Sequence, residues 1–159
     1  MARALGKGLA GSLVAVARCG ALAATLLLMP PSATIVAQPL PAVPKPAPTE
    51  AELAARGAKR LLAAEFETLY IGNTLSGMTS DGEPFHVFVE SGTAYRMLFQ
   101  GKRSSDAWNV NKEGEFCTVA GTEITCTREH WVEQTVYSFN PDGSFAGLAR
   151  IRTGNPEKL

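Results

Sequence analysis

Three patterns of hydrophobic and polar positions follow one another along the chain. The first is an unbroken apolar run from Cys19 to Met29, ended by Pro30 and Pro31. The second begins after a proline-rich stretch, Gln38 to Pro48. There Leu53, Leu61, Leu62, Phe66, Leu69 and Tyr70 recur at helical spacing. Thr49 and Glu52 form a capping-box pattern at its start, with Glu52 and Arg56 as an i,i+4 pair. Gly72 is a suitable stop. The pattern predicts a helix from about 50 to 70, with Gly57 or Ala64 as its weak points. From Gly72 onward the period is two. Asp81-Gly82, Ser91-Gly92, Gln100-Gly101, Glu113-Gly114, Gly121-Thr122 and Pro141-Asp142-Gly143 punctuate it. Short strands between frequent turns predict a mainly β domain over 72–153. The expected fold is a helix packed on a seven- or eight-strand antiparallel meander, as a small barrel or a half-closed sandwich.

Three hairpins are legible in register. A two-residue loop at Gly121-Thr122 sets Ala120 opposite Glu123, Val119 opposite Ile124, Thr118 opposite Thr125 and Cys117 opposite Cys126. In a non-hydrogen-bonded pair the cysteine Cα atoms stand about 4.5 Å apart, within disulfide reach. Val119 and Ile124 share the cysteines' face, so the bridge is expected to look inward and the threonines outward. Around Glu90-Ser91-Gly92, a three-residue loop with Gly92 left-handed sets Phe85, Val87 and Val89 beside Tyr95, Met97 and Phe99. His86 and Arg96 are then expected to face each other outside. Asn140-Pro141-Asp142-Gly143 predicts a turn that pairs Phe139 with Phe145 and lays Tyr137 over Gly147.

The leading segment changes the picture of where the domain works. Residues 1–37 carry Arg3, Lys7 and Arg18 but no acid, then the apolar run, then Ala37. This is the layout of a secretory signal, with cleavage expected after Ala37 and Ala33 as the alternative position. Cys19 precedes the apolar run and is not read as a lipid-attachment site. The rival is an uncleaved anchor over 9–29, long enough for the roughly 20 residues a span requires. An arginine at mid-span costs about 2.5–3.5 kcal/mol, so cleavage is preferred and a periplasmic or secreted address expected. The mature chain would comprise a linker over 38–48, a helical segment over 49–71, the β-domain, and a flexible tail over 154–159. Removing the leader takes three of the 15 basic residues and none of the 15 acidic ones, leaving a net charge of about −3. That is the wrong sign for a general nucleic-acid binder.

Candidate chemistry is sparse. The two cysteines lack Cys-x-x-Cys spacing, so their reading is structural. His86 and His130 lie far apart, and no second cysteine pair accompanies them, so no zinc set is expected. The glycines follow hairpin spacing rather than a phosphate loop, so no cofactor is expected. No catalytic residue is assigned. The acids fall mostly in turns (Asp81, Glu83, Glu113 and Asp142), where they are solvated. Tyr95 and Trp108 are the candidates to line a ligand pocket, against a purely core-filling role.

The span from Gly72-Asn73-Thr74-Leu75-Ser76-Gly77 through Asp81-Gly82, Trp108, Cys117 and Cys126 to Tyr137 and Asp142-Gly143 resembles a family of small exported proteobacterial proteins. That family is defined only as a domain of unknown function. The resemblance covers about residues 60–152 and implies a periplasmic single domain with a disulfide. It implies no reaction. The expected function is a non-enzymatic, monomeric module that binds a small apolar ligand or an envelope partner. The alternatives are an interaction or inhibitor module acting through an edge strand or loop rim, and a small hydrolase-like enzyme. The enzyme would require His86 or His130 to converge with a carboxylate or nucleophile.

Overall fold

The alternating part of the chain closes on itself. The computed structural model describes residues 39–159; the predicted leader, its cleavage site and the rival anchor lie outside them. Eight strands form an antiparallel meander: β2 (Asn73–Thr79), β3 (Pro84–Val89), β4 (Ala94–Phe99), β5 (Lys102–Val110), β6 (Phe116–Ala120), β7 (Glu123–Val132), β8 (Thr135–Phe139) and β9 (Phe145–Thr153). Each pairs with the next, and β9 returns to pair with the whole length of β2, from Asn73 opposite Thr153 to Thr79 opposite Gly147. The result is a barrel, not a sandwich. Closure removes the unpaired edges that an open sheet would expose. Among the described residues no helix is long and apolar enough to cross a membrane.

The predicted single helix is two short ones, α1 (Glu50–Ala55) and α2 (Ala63–Tyr70), with β1 (Lys59–Arg60) between them. The capping box forms: Thr49 Oγ1 accepts from the Glu52 amide at 3.2 Å, and Glu52 Oε2 accepts from the Thr49 amide at 2.7 Å. The break falls at Gly57. Its φ of 82° is left-handed, its amide donates to the Ala54 carbonyl, and the Ala58 amide donates to the Leu53 carbonyl. That bond pattern is a Schellman stop. Arg56 then reaches Glu133 rather than Glu52. Tertiary pairing favours the break, because β1 lies against β7 beyond the end of β6, with Lys59 opposite Trp131 and Arg60 opposite His130.

The two helices serve different cores. α2 closes one end of the barrel, where Phe66 and Tyr70 pack with Val89, Tyr95, Trp108 and Val136. α1 lies outside, where Leu53 packs with Val132, Tyr137, Phe139 and Leu148. The proline-rich stretch joins this outer core: Pro41 is buried and Val43 packs against the cluster. At the other end of the chain, Leu159 is buried, and Arg103 donates to the Lys158 carbonyl at 2.8 Å. The 154–159 segment is therefore fastened to the outside of the barrel.

Ion pairs hold α1 in place. Glu50 accepts from Arg128 at 2.5 and 3.2 Å and lies 3.0 Å from His130 Nε2. The Arg128 guanidinium first, and His130 with it, hold the Glu50 carboxyl below its ordinary range against the opposing effect of burial. A depressed carboxylate contributes stability above its unfolded pKa and loses it as pH falls through the folded one. Wild-type stability is therefore expected to fall by on the order of 1 kcal/mol below the ordinary glutamate range. Unfolding curves of Glu50→Gln should lack that part of the acid loss. Identical acid profiles would show that the network contributes nothing.

Of the three predicted hairpins, the β6–β7 register is as expected, from Ala120 opposite Glu123 to Cys117 opposite Cys126. The cysteines are bonded, with Cα atoms 4.0 Å apart. Their face is the reverse of the expectation. Thr118, Thr125 and Thr127 look into the barrel, so Cys117, Val119, Ile124 and Cys126 lie on the outer face, where Cys117 is nonetheless buried and Ile124 is 64% exposed. The bridge closes a short loop, with a sequence separation of 9. Its reduction is expected to cost about 2–3 kcal/mol. Thermal unfolding with and without reductant measures this, and an unchanged midpoint would refute it.

The β3–β4 pairs also form as expected: Phe85 with Phe99, Val87 with Met97, Val89 with Tyr95. Gly92 is not left-handed, however, and the chain turns through residues 90–93, closed by the Glu90 amide on the Ala94 carbonyl. In that register His86 lies opposite Leu98, and Arg96 opposite Phe88, so the expected His86–Arg96 pair does not form. In the β8–β9 hairpin Phe139 does meet Phe145, but a bulge at Ser138/Phe139 sets Ser138, not Tyr137, opposite Gly147.

Candidate functional site

Side-chain size around the lumen decides where the barrel is filled. At the α2 end the inward positions carry Tyr95, Trp108 and Val89, and α2 adds Phe66 and Tyr70. Toward the other mouth the inward positions of β6 to β9 carry Thr118, Thr125, Thr127, Ser138, Gly147 and Ala149. These are too small to meet the opposite wall. A cavity of about 350 Å³ remains. Its far wall is apolar: Phe85 and Val87 from β3, Met97 and Phe99 from β4. These four point inward yet are only half-buried, so the lumen is open. Burial along β7 shows the direction of opening, from buried Glu129 through half-buried Thr127 to exposed Thr125. The turns at residues 80–83, 100–101, 121–122 and 140–144 surround this mouth.

The floor is polar. Glu129 is 4% exposed and lines the cavity with Tyr70, whose side chain is fully buried. Thr127 Oγ1 donates to Glu129 Oε1 at 2.7 Å, and Ser138 Oγ donates to Oε2 at 2.7 Å. Burial pushes the Glu129 carboxyl up to about 7, against the two hydroxyl bonds. Burial first, then the nearby Glu129 charge, raises the Tyr70 phenol well above its ordinary value. The Tyr70 hydroxyl has no hydrogen-bond partner among the described residues.

Tyr95 and Trp108 do not line this cavity. Both are buried in the closed half, Trp108 stacking 5.2 Å from Phe116 and donating from Nε1 to the Ser91 carbonyl at 2.8 Å. The reason is α2, which occupies their half of the lumen. Sequence reasoning passed over Glu129. Its signal was the alternation Thr125, Thr127, Glu129, which puts it on the threonine face; assigning that face to solvent hid it.

The two histidines lie outside the lumen. His130 is held by Glu50 and packs edge-on to Phe139, ring centroids 5.6 Å apart. His86 has a serine and a carboxylate nearby, but both approach the same ring nitrogen: Ser76 Oγ lies 2.9 Å from Nδ1, and Glu157 Oε1 lies 3.9 Å from it. A relay needs them on opposite nitrogens. Ser76 is also 2% exposed, out of reach of a substrate. Among the described residues no three metal-ligating side chains cluster. Comparison of the chain with protein-family models, with curated proteins and with solved structures finds no match.

Proposed function

We propose that the protein is an exported, non-enzymatic binding module whose barrel lumen takes a small apolar ligand. The observation that carries this reading is the open cavity of about 350 Å³ walled by Phe85, Val87, Met97 and Phe99. Ligand pockets begin at about 300 Å³ and are mostly apolar with a few placed polar groups. A barrel packed solid would have spoken against it. The disulfide is in keeping with an oxidising compartment, and the leader pattern is the ground for placing the protein in the periplasm. The resemblance to small exported proteobacterial proteins touches the structure at one point, the cysteine hairpin.

The reading as an interaction or inhibitor module has less support. Barrel closure leaves little edge to augment. Among the described residues, the exposed large apolar side chains are Leu62, at the closed end, and Ile124, at the open end. They do not form the patch that marks a docking surface. Only the loop rim remains for that alternative.

Native mass spectrometry of the protein purified from its own periplasm, against its denatured mass, tests for a retained ligand. A fluorescence titration with N-phenylnaphthylamine tests the site. Met97→Trp, which fills the lumen, is expected to weaken dye binding at least about tenfold, the ~1.4 kcal/mol equivalent. Ile124→Trp, outside the barrel, should leave it unchanged. Equal binding by both variants would place the dye elsewhere and remove the proposal's support.

A further inference from the structure

The floor of the lumen specifies more than an apolar occupant. Resting on the lumen reading, we infer that the ligand is an amphiphilic amine, its apolar body against Phe85, Val87, Met97 and Phe99 and its ammonium head between Glu129 and Tyr70. A plain hydrocarbon would leave the open acceptor positions of this buried carboxyl and phenol unpaired, which is unfavourable. A fatty acid would bring a second carboxylate against Glu129. No Lys, Arg or His lines the cavity to balance the two charges.

An ammonium satisfies what the floor leaves open. Each Glu129 oxygen already accepts one hydroxyl, from Thr127 and from Ser138. A carboxylate offers about four acceptor sites, so two remain. The unpartnered hydroxyl of Tyr70, which lines the same cavity, offers its oxygen lone pairs as well. A primary ammonium has three donors and the opposite charge to a buried carboxylate that has no cationic neighbour in the lumen. An alcohol would supply one donor and no charge. The same geometry gives a reason for an otherwise unfavourable buried acid: it is the recognition group, and the ligand completes its pairing.

The test is calorimetric titration at pH 8 with decylamine, decanol and decanoate, on wild type, Glu129→Gln and Tyr70→Phe. Wild type is expected to bind decylamine about tenfold tighter than decanol, as a charge-assisted bond exceeds a neutral one, and decanoate weakest. Glu129→Gln should bind decylamine no more tightly than decanol. Tyr70→Phe, which keeps the aromatic packing, should weaken the amine more than the alcohol. Decanoate binding as tightly as the amine, or an unchanged preference in Glu129→Gln, would overturn the inference. Equal binding of all three ligands would overturn it while leaving the apolar lumen in place. Failure of all three to bind would overturn both.

Discussion

Replacing Gly77 with valine is expected to abolish the folded barrel. Gly77 sits where the first and last strands of the barrel meet, opposite Ala149 of β9 and Phe85 of β3. A Cβ at this position would stand 2.1 Å from the Leu148 carbonyl oxygen and 2.8 Å from the Ala149 Cα. Both are backbone atoms of the paired strand, so no side chain can swing aside. Gly147 approaches from the other strand in the same way, its Cβ position 2.7 Å from the Met78 carbonyl oxygen. Two glycines thus let β2 and β9 come close where the sheet closes, a use of strand glycine that a side chain forbids. Overpacking in a tolerant core costs about 1–3 kcal/mol. A clash with rigid backbone costs more, and whole-domain stability is only about 5–15 kcal/mol. Gly77→Ala should be severely destabilised for the same reason. Gly82→Ala is the control: its φ is +85°, yet nothing lies within 4 Å of the new Cβ. It should cost only about 1–2 kcal/mol. Circular dichroism and thermal melts of the purified proteins decide the matter. A Gly77→Val protein melting like wild type would show that β2 and β9 are not held at this spacing.

Glu129→Gln should gain stability over wild type as pH rises. The Glu129 carboxyl titrates at about 7 in the folded protein, against an ordinary value of 4.5. Its raised pKa means the folded state holds a proton that the unfolded chain releases. The sign follows: wild-type stability falls between pH 4.5 and 7 and is level above. At 1.36 kcal/mol per pKa unit the shift amounts to about 3 kcal/mol. Glutamine is uncharged at every pH, and the Thr127 and Ser138 hydroxyls can rotate to serve it as donor or acceptor. The difference in unfolding free energy between variant and wild type should therefore change by about 3 kcal/mol across that window, in favour of the variant at high pH. Denaturant melts at a series of pH values measure it. A flat difference would mean that Glu129 is hydrated or paired in solution. The acid loss assigned to Glu50 lies below this window, so the two effects separate.

Much of the fold was legible because strand pairing is local here. Every consecutive pair in the meander is joined by a short turn, and turn chemistry fixes register from a few neighbouring residues. That is why Cys117 meets Cys126 and Phe85 meets Phe99 as the sequence alone predicts. The bulge at Ser138 escaped, because the same residue types accommodate pairings that differ by one residue. At the β3–β4 turn the three-residue loop formed as expected, and only the left-handed Gly92 did not. The helix from 50 to 70 was divided for a different reason. Gly57 marked a weak point, but the use of residues 59 and 60 as a strand depends on an edge of β7 that β6 leaves unpaired.

The candidate site was less legible than the fold. The rule that the apolar face of a strand is the buried one holds for β3 and β4 but fails for β6 and β7. In this half the interior is a cavity, not a packed core, so threonines line it and Ile124 faces water. Periodicity fixes which residues share a face; it does not say which face looks inward when the interior is open. By itself, then, the sequence determined the antiparallel meander, the disulfide partners and the capping of α1, all set by contacts between near neighbours. Only the tertiary structure decided the closure of β9 onto β2, the plugging of one mouth by α2 and the placing of Tyr70 and Glu129 in the lining of one lumen. Each of these depends on elements far apart in the chain, whose distance no local pattern encodes.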